Sequence, residues 1–170
     1  KQSPWIGIAP FAAHKGKIYP IDKMEKVIQQ LIHTYPQARL YLFGGGKEET
    51  AIMNQWAETY PQVINASSQL NGLAQELNLM SQLQLMISMD SGNMHLASLV
   101  NTPVISIWGA THPYAGFMGW NQDDANAVQV SLPCRPCSIY GNKPCLRGDY
   151  ACLNEIQPEE IINKVKFILQ

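Results

Sequence analysis

The sequence predicts an α/β fold in which about six parallel strands form one sheet with helices on both faces. Short apolar runs alternate with longer segments whose apolar residues recur at helical spacing, which is typical of parallel sheets with right-handed crossovers. One run, 85–89, leads directly into Asp90-Ser91-Gly92 and then into a helical pattern, as a strand–turn–helix unit does. Together these observations predict a Rossmann-like sandwich.

Apolar runs bounded by polar, Gly or Pro residues predict the strands 5–9, 39–43, 63–64, 85–89, 103–108 and 127–131. Helical periodicity predicts helices over 21–35, 48–60 and 159–169, and a shorter one after Gly92. The inner face of helix 48–60 is predicted to carry Ala51, Ile52 and Trp56. One more helix is predicted with the following residues inward: Leu70, Leu73, Ala74, Leu77 and Met80.

Composition indicates one compact domain over residues 1–170, with 46% hydrophobic and 15% charged residues. Twelve basic and thirteen acidic residues give a net charge of −1 without runs of either sign, which disfavours nucleic acid and anionic membranes as partners. No apolar run approaches the roughly twenty residues of a membrane-spanning helix. We therefore predict a cytoplasmic protein without a transmembrane segment. The start at Lys1, directly before a strand, favours a piece of a longer protein.

The turn after the fourth strand is the strongest candidate site. Asp90 or Ser91 is suited to cap the following helix, and Gly92 allows a ligand to approach the backbone. The free N–H groups of a helix N-terminus attract phosphate, which would place Asp90, Ser91 and His95 around a pyrophosphate. The alternative is an ordinary capped helix with a chance histidine.

Residues 90–97, Asp-Ser-Gly-Asn-Met-His-Leu-Ala, resemble the Asp-Ser/Thr-Gly-x-Met-His-Leu-Ala signature of the lipopolysaccharide heptosyltransferases, glycosyltransferase family 9. Residues 101–113 are similar to that family's next strand and its Gly-x-Thr-x-Pro loop, and residues 8–20 to the loop and lysine that open its donor-binding half. The cysteine-containing segment from Pro133 resembles its tail. The resemblance implies the C-terminal, nucleotide-sugar-binding half of a two-domain GT-B glycosyltransferase.

The same resemblance implies roles for individual residues. Lys17 would be the catalytic residue, stabilising the departing diphosphate. An acidic residue after Gly44-Gly45-Gly46 would hold ribose hydroxyls, with Glu48 favoured over Glu49. The other substrate-binding residues are Asp90, Ser91, Gly92, Met94, His95 and Thr111. His14 is a second histidine candidate, and His112, Tyr114 and Trp120 lie in a loop suited to cover a sugar or base.

The implied full-length enzyme transfers heptose from an ADP-sugar donor to a lipopolysaccharide core acceptor, with inversion and without a cofactor or obligatory divalent metal. Acceptor and general base would belong to an N-terminal domain, so these 170 residues alone are expected to bind donor and transfer nothing. Two alternatives stay open: another GT-B-type enzyme, such as a sugar-nucleotide epimerase, and a non-catalytic scaffold module. Ala12-Ala13, where several relatives carry a hydroxyl residue, favours the scaffold.

Other enzyme classes lack their motifs. No Gly-x-Gly-x-x-Gly follows the first strand, which disfavours a dinucleotide dehydrogenase, and hydrolase motifs are missing. The cysteines follow the pattern Cys134-x2-Cys137-x7-Cys145-x6-Cys152. One Cys-x-x-Cys suggests structural zinc, but the second pair is spaced too widely for a standard zinc ribbon, so reduced thiols or a disulfide are favoured over a metal site.

Overall fold

The computed structural model describes residues 3–170, which form a single α/β unit. The strands are β1 (Trp5–Ala9), β2 (Arg39–Leu42), β3 (Val63–Asn65), β4 (Leu85–Met89), β5 (Val104–Ile107) and β6 (Ala127–Val128). The helices are α1 (Ile21–Thr34), α2 (Lys47–Thr59), α3 (Leu73–Met80), α4 (Gly92–Leu99), α5 (Ala151–Asn154) and α6 (Pro158–Ile168). Short 3-10 turns lie at Lys15–Lys17, Ala66–Ser68, Pro113–Ala115 and Asp124–Asn126.

The six strands form one sheet in the order β3-β2-β1-β4-β5-β6, and neighbouring strands are parallel throughout. This is the doubly wound order of the Rossmann fold, so the predicted fold class is confirmed. The order reverses between β1 and β4, and Ala9 pairs with Ser88 at the carboxyl end of both strands. The loops that follow these two strands therefore start side by side.

Side chains of the strands alternate between the two faces of the sheet and pack into two separate hydrophobic cores, one on each face. The first core is covered by α1, α2 and α6, and its buried strand residues are Ile6, Ile8, Leu40, Leu42, Val63, Leu85, Ile87, Met89, Ile105, Ile107 and Val128. The second core is covered by α3 and α4, and its buried strand residues are Ala9, Tyr41, Met86 and Val104, with Phe43 and Trp108 directly after β2 and β5. Helices on both faces are what the strand and helix alternation predicts.

The longer helices form where spacing and end signals agree. In α1 the residues Met24, Val27, Ile28 and Leu31 are fully buried, Asp22 lies in the first turn, and Pro36 follows the end. Helix α6 begins with a capping box in which the Gln157 N–H donates to Glu160 Oε1 at 2.8 Å, and Pro158 occupies its first turn.

Three predicted details differ from the structure. Strand β6 has two residues instead of five, because its last residue, Val128, pairs with Ile107, where β5 ends. Helix α3 begins only after Gly72, whose φ is 86°, so Leu70 precedes it and Leu73 is 53% exposed. In α2 the buried residues are Met53 and Trp56, while Ala51, two positions and about 200° from Met53, is exposed.

Within residues 3–170, no helix is long and apolar enough to cross a membrane.

Candidate functional site

The candidate site lies at the switch point, outside the carboxyl ends of β1 and β4. The loop after β1 and the turn after β4 enclose a recess of about 330 Å³, called here the lysine recess. It is lined by Ala13, His14, Lys17, Asp90, Ser91, Gly92, His95, Phe117, Ile139 and Tyr140. Five predicted site residues therefore meet in one place: Lys17, Asp90, Ser91, Gly92 and His95. Open α/β sheets bind ligands at such a position.

An ion pair joins the two loops at the base of the recess. Lys17 Nζ lies 3.2 Å from Asp90 Oδ2, with side-chain exposures of 15% and 6%. The same carboxylate oxygen accepts a hydrogen bond from the Thr111 hydroxyl at 2.8 Å. A Cβ added at Gly141, where φ is +74°, would lie 2.6 Å from Lys17 Cγ and Cδ, so this backbone presses on the lysine stem. Thr111 therefore fixes the pair on the aspartate side, and Gly141 fixes it on the lysine side.

The turn itself is open for a ligand at the backbone. Ser91 is the N-cap residue of α4, but in the described part of the chain no side chain caps this helix, and the Ser91 hydroxyl faces Ser88 Oγ at 3.2 Å. An added Cβ at Gly92 would meet no atom of residues 3–170 within 4 Å, and its φ lies outside the left-handed region. The free protein therefore has neither a steric nor a conformational need for glycine at this position. A ligand that approaches the free N–H groups would need it, because a side chain would block its approach.

A second recess of about 270 Å³ lies on the other side of the same turn. Ala13, Ser91 and Gly92 line both recesses, and Gly44, Gly45 and Glu49 complete this one, called here the glycine recess. Its other lining residues are Phe11, Ala12, Asn93 and Leu96. The turn thus separates two adjoining spaces, which suits an elongated ligand whose charged middle lies over the turn.

The acidic residue that lines this recess is Glu49, whereas the prediction favoured Glu48. Glu49 Oε2 accepts a hydrogen bond from the Gly45 N–H at 2.8 Å, whereas Glu48 is exposed on the first turn of α2. Because one residue turns a helix by about 100°, only one of the two neighbouring carboxylates faces the recess.

Two predicted donor contacts are replaced by structural roles. Met94 is fully buried and packs in the second core with Ala97, so its side chain is not available to a ligand. Thr111 is also fully buried, and its hydroxyl is directed to Asp90 instead of the recess. Both residues support the site from behind.

Of the predicted histidines and aromatic residues, His95 and His14 line the lysine recess, whereas His112, Tyr114 and Trp120 do not. His95 is exposed at the mouth of the lysine recess, and His14 also lines it. The side chain of His112 instead accepts a hydrogen bond from the Tyr114 N–H at 3.1 Å, and burial, followed by the nearby Arg135 charge, lowers the pKa of its imidazole. Tyr114 and Trp120 are 91% and 74% exposed.

Sequence reasoning missed the apolar wall of the lysine recess. It consists of Phe117, Ile139 and Tyr140, and the Phe117 and Tyr140 ring centroids lie 5.8 Å apart. Phe117 comes from the loop after β5, whereas Ile139 and Tyr140 come from the cysteine-containing segment. No local pattern signals this contact, because it depends on how two distant loops pack.

The cysteine-containing segment provides no ligand cluster. Within residues 3–170, no group of three or more His, Cys, Asp or Glu side chains is placed to hold a metal ion, and the four cysteines are free thiols. Burial raises the pKa of the Cys152 thiol to about 11, whereas the backbone N–H of Tyr150 lowers the pKa of Cys145.

Arg135, in the same segment, is the most heavily bonded side chain near the site. It donates to the carbonyl oxygens of Gly109 at 2.5 Å and Thr111 at 2.9 Å, and to Gln129 Oε1 at 3.0 Å, as well as to Val130. Burial lowers the pKa of its guanidinium.

Comparison with known proteins identifies the family. The model of glycosyltransferase family 9 (heptosyltransferase) matches residues 1–146. The chain belongs to glycosyltransferase family 9. It is 26% identical over 137 residues to lipooligosaccharide heptosyltransferase 2 of Campylobacter jejuni subsp. jejuni serotype O:2, covering 77% of this chain and 41% of that protein. It is also 26% identical over 162 residues to lipopolysaccharide heptosyltransferase 1 of Campylobacter coli, covering 91% and 44%.

Solved structures of this family share the fold. E. coli heptosyltransferase WaaC with ADP superposes with a TM-score of 0.70 at 17% identity, over 98% of this chain and 44% of that one. A family 9 glycosyltransferase from Veillonella parvula superposes with a TM-score of 0.73 at 18% identity, over 98% and 46%. The family 9 chain described here spans less than half the length of these relatives.

Proposed function

We propose that this chain is the nucleotide-sugar-binding half of an inverting heptosyltransferase that builds the lipopolysaccharide core. The observation that carries the proposal is the arrangement at the switch point, where two recesses adjoin one open helix N-terminus and Lys17 lies at its side. Heptosyltransferases named for lipopolysaccharide or lipooligosaccharide, and a family structure with ADP, support an ADP-activated donor.

The donor fits this arrangement in one orientation, with its nucleoside in the glycine recess and its sugar in the lysine recess. Its diphosphate lies over Ser91 and Gly92, where free N–H groups and the helix dipole favour negative charge. The nucleoside enters the glycine recess, where the Glu49 carboxylate accepts hydrogen bonds from ribose hydroxyls. The sugar then occupies the lysine recess beside Phe117 and Tyr140. Each part of the ligand meets a surface of matching chemistry.

Lys17 supplies the positive charge that the reaction requires. Displacement at the anomeric carbon has an oxocarbenium-like transition state, and negative charge grows on the departing diphosphate. A lysine fixed at the base of the recess stabilises that charge without reorganising. Asp90 holds the ammonium group in place, and His95 at the mouth is positioned to donate to a phosphate oxygen.

The remaining parts of the reaction belong to the missing half. We assign the lipopolysaccharide acceptor and the general base to an N-terminal domain, and the complete enzyme to the cytoplasmic side of the membrane. Catalysis of this kind needs both substrates held in attack geometry, which contributes about 7–11 kcal/mol of barrier lowering. Residues 1–170 alone are therefore expected to bind donor without measurable transfer.

A nucleotide panel tests the proposal. Titration calorimetry of this chain with ADP, UDP and GDP should show binding of ADP in preference to the other two. Stronger binding of UDP than of ADP would favour the epimerase alternative. Failure of a folded sample to bind any of the three would favour the scaffold module.

A further inference from the structure

We propose that Arg135 is a positioning residue for the donor site, which acts through Thr111 to fix the Asp90–Lys17 ion pair. The inference rests on the proposed function, since it assigns Lys17 to the donor phosphates. It concerns a residue in the cysteine-containing segment, outside the Asp90–Ala97 motif, and one that does not line either recess.

The guanidinium of Arg135 ties three segments together. Two of its acceptors, Gly109 and Thr111, lie in the turn after β5, and two, Gln129 and Val130, lie beyond the end of β6. Arg135 itself begins the segment that leads to Tyr140. All four are neutral oxygens, three of them backbone carbonyls. A half-buried cation of this kind is costly to desolvate unless its donors are satisfied, so the contacts cannot be rearranged cheaply.

Thr111 carries this constraint to the ion pair. Its carbonyl oxygen is held by Arg135 at 2.9 Å, and its hydroxyl donates to Asp90 Oδ2 at 2.8 Å. That oxygen lies 3.2 Å from Lys17 Nζ. Because Thr111 is fully buried and bonded on both sides, a shift of its backbone would pull the hydroxyl from Asp90. Two hydrogen bonds and one ion pair therefore connect Arg135 to the ammonium group.

A second route runs through the backbone of the same segment. The Cys137 N–H donates to the Ala110 carbonyl at 3.1 Å, and the Ala110 N–H donates to the Gly16 carbonyl at 2.8 Å. Further along, Gly141 packs on the methylene groups of Lys17. By anchoring residues 135–141 against the turn after β5, Arg135 keeps this surface pressed on the lysine stem. Both routes end at Lys17.

Lysine is not an equivalent residue at this position. The planar guanidinium presents several donors at fixed angles and meets four acceptors at once, whereas an ammonium group is a point charge with three donors on a flexible stem. Arg135→Lys should therefore keep the charge and lose part of the positioning. Arg135→Gln should lose both.

The test compares ADP with adenosine, which lacks the phosphates that Lys17 would contact. Titration calorimetry should show that Arg135→Gln weakens ADP binding about tenfold, within the range for residues coupled through one network, and leaves adenosine binding unchanged. Arg135→Lys should give a smaller loss. Arg147→Gln is the matched control, because Arg147 lies in the same segment but is exposed and pairs with Asp149 at 2.9 Å. It should change neither affinity.

A double-mutant cycle and the ligand-free structure complete the test. In a Lys17→Met background, Arg135→Gln should cause no further loss of ADP affinity. Equal weakening of ADP and adenosine, or additive effects of the two substitutions, would mean that Arg135 only supports the fold and would overturn the inference. A crystal structure of ligand-free Arg135→Gln should show the Thr111–Asp90 hydrogen bond broken or lengthened. An intact bond would also overturn it. If the native chain binds no nucleotide while this bond opens, the proposed function fails, and the role of Arg135 is limited to fixing the Asp90–Lys17 pair.

Discussion

At the scale of single residues, the candidate site depends on one ion pair and on one glycine that has no side chain to cover the backbone. Lys17 and Asp90 form an ion pair in a poorly exposed position, and no side chain at Gly92 covers the first turn of α4. Charge from one loop and backbone N–H groups from another thus face the same space. Substitutions at these positions separate ligand binding from folding.

Lys17→Met should weaken ADP binding by at least about tenfold, because hydrogen bonds to charged groups contribute about 1.5–3 kcal/mol. Lys15→Met is the matched control, since Lys15 lies in the same 3-10 turn but its ammonium group stands over the Tyr150 ring, 4.9 Å from the centroid. Calorimetry on both variants checks this. Equal ADP affinities for the two variants would exclude Lys17 from the phosphate site.

Gly92→Val should abolish ADP binding while the melting temperature changes little. The free protein has room for the new side chain, but the valine would occupy the space through which a diphosphate reaches the N–H groups. Calorimetry and thermal unfolding of one sample measure both effects. Unchanged ADP affinity in the folded variant would contradict the assignment of this turn.

Sequence reasoning found the residues whose positions are set locally. Asp90, Ser91, Gly92 and His95 follow from a buried strand that runs into a helix. The other features of the site depend on long-range packing. Among them are the direction of the Thr111 hydroxyl towards Asp90 and the hydrogen bonds of Arg135. The choice between Glu48 and Glu49 depends on the phase of one helix, which a shift of a single residue changes by about 100°.

At the scale of elements, α4 has one side that lines the recesses and one that packs in the core. Its N-terminus and His95 line the recesses, whereas Met94, Ala97 and Ser98 are buried against the sheet's second face. In our proposal the motif combines binding and packing. The methionine of the family signature belongs to the packing.

Met94→Ala should lower the free energy of unfolding by about 3 kcal/mol, because truncating a fully buried methionine loses apolar burial and leaves a cavity. Leu99→Ala, on the same helix at 66% exposure, should change it by less than about 0.5 kcal/mol. Urea unfolding curves compare the two variants. Equal destabilisation by the two substitutions would contradict the core position of Met94.

The cysteine-containing segment should show unequal thiol reactivity. The thiolate is the reactive form, so the raised pKa of Cys152 keeps this buried group protonated at pH 8, below its value of about 11. The lowered pKa of Cys145 gives more thiolate at the same pH. Mass spectrometry after brief iodoacetamide treatment should find Cys145 modified before Cys152. Faster modification of Cys152 in the folded protein would contradict the structure.

Elements with strong periodicity were predictable, and those without it were not. The apolar runs of β1 and β4 and the spacing in α1 predicted their bounds to within one residue. Strand β6 stops opposite the end of β5, and α3 begins only after the turn at Gly72. Both effects arise from tertiary contacts or backbone conformation that apolar spacing does not encode.

At the scale of the whole molecule, the fold collects these parts at one sheet edge. The order β3-β2-β1-β4-β5-β6 places the ends of β1 and β4 together, so that loops distant in sequence share a crevice. This chain spans less than half the length of its relatives. We propose that the other half of the enzyme completes the cleft in which the reaction takes place. The donor site that we propose lies in the crevice between these loops.

The most direct measurement is a crystal structure of this chain with ADP. We expect the diphosphate within hydrogen-bond distance of the Ser91 or Gly92 N–H and of Lys17 Nζ, with the ribose facing Glu49 in the glycine recess. ADP bound away from the turn after β4, or with its diphosphate out of reach of Lys17, would contradict it.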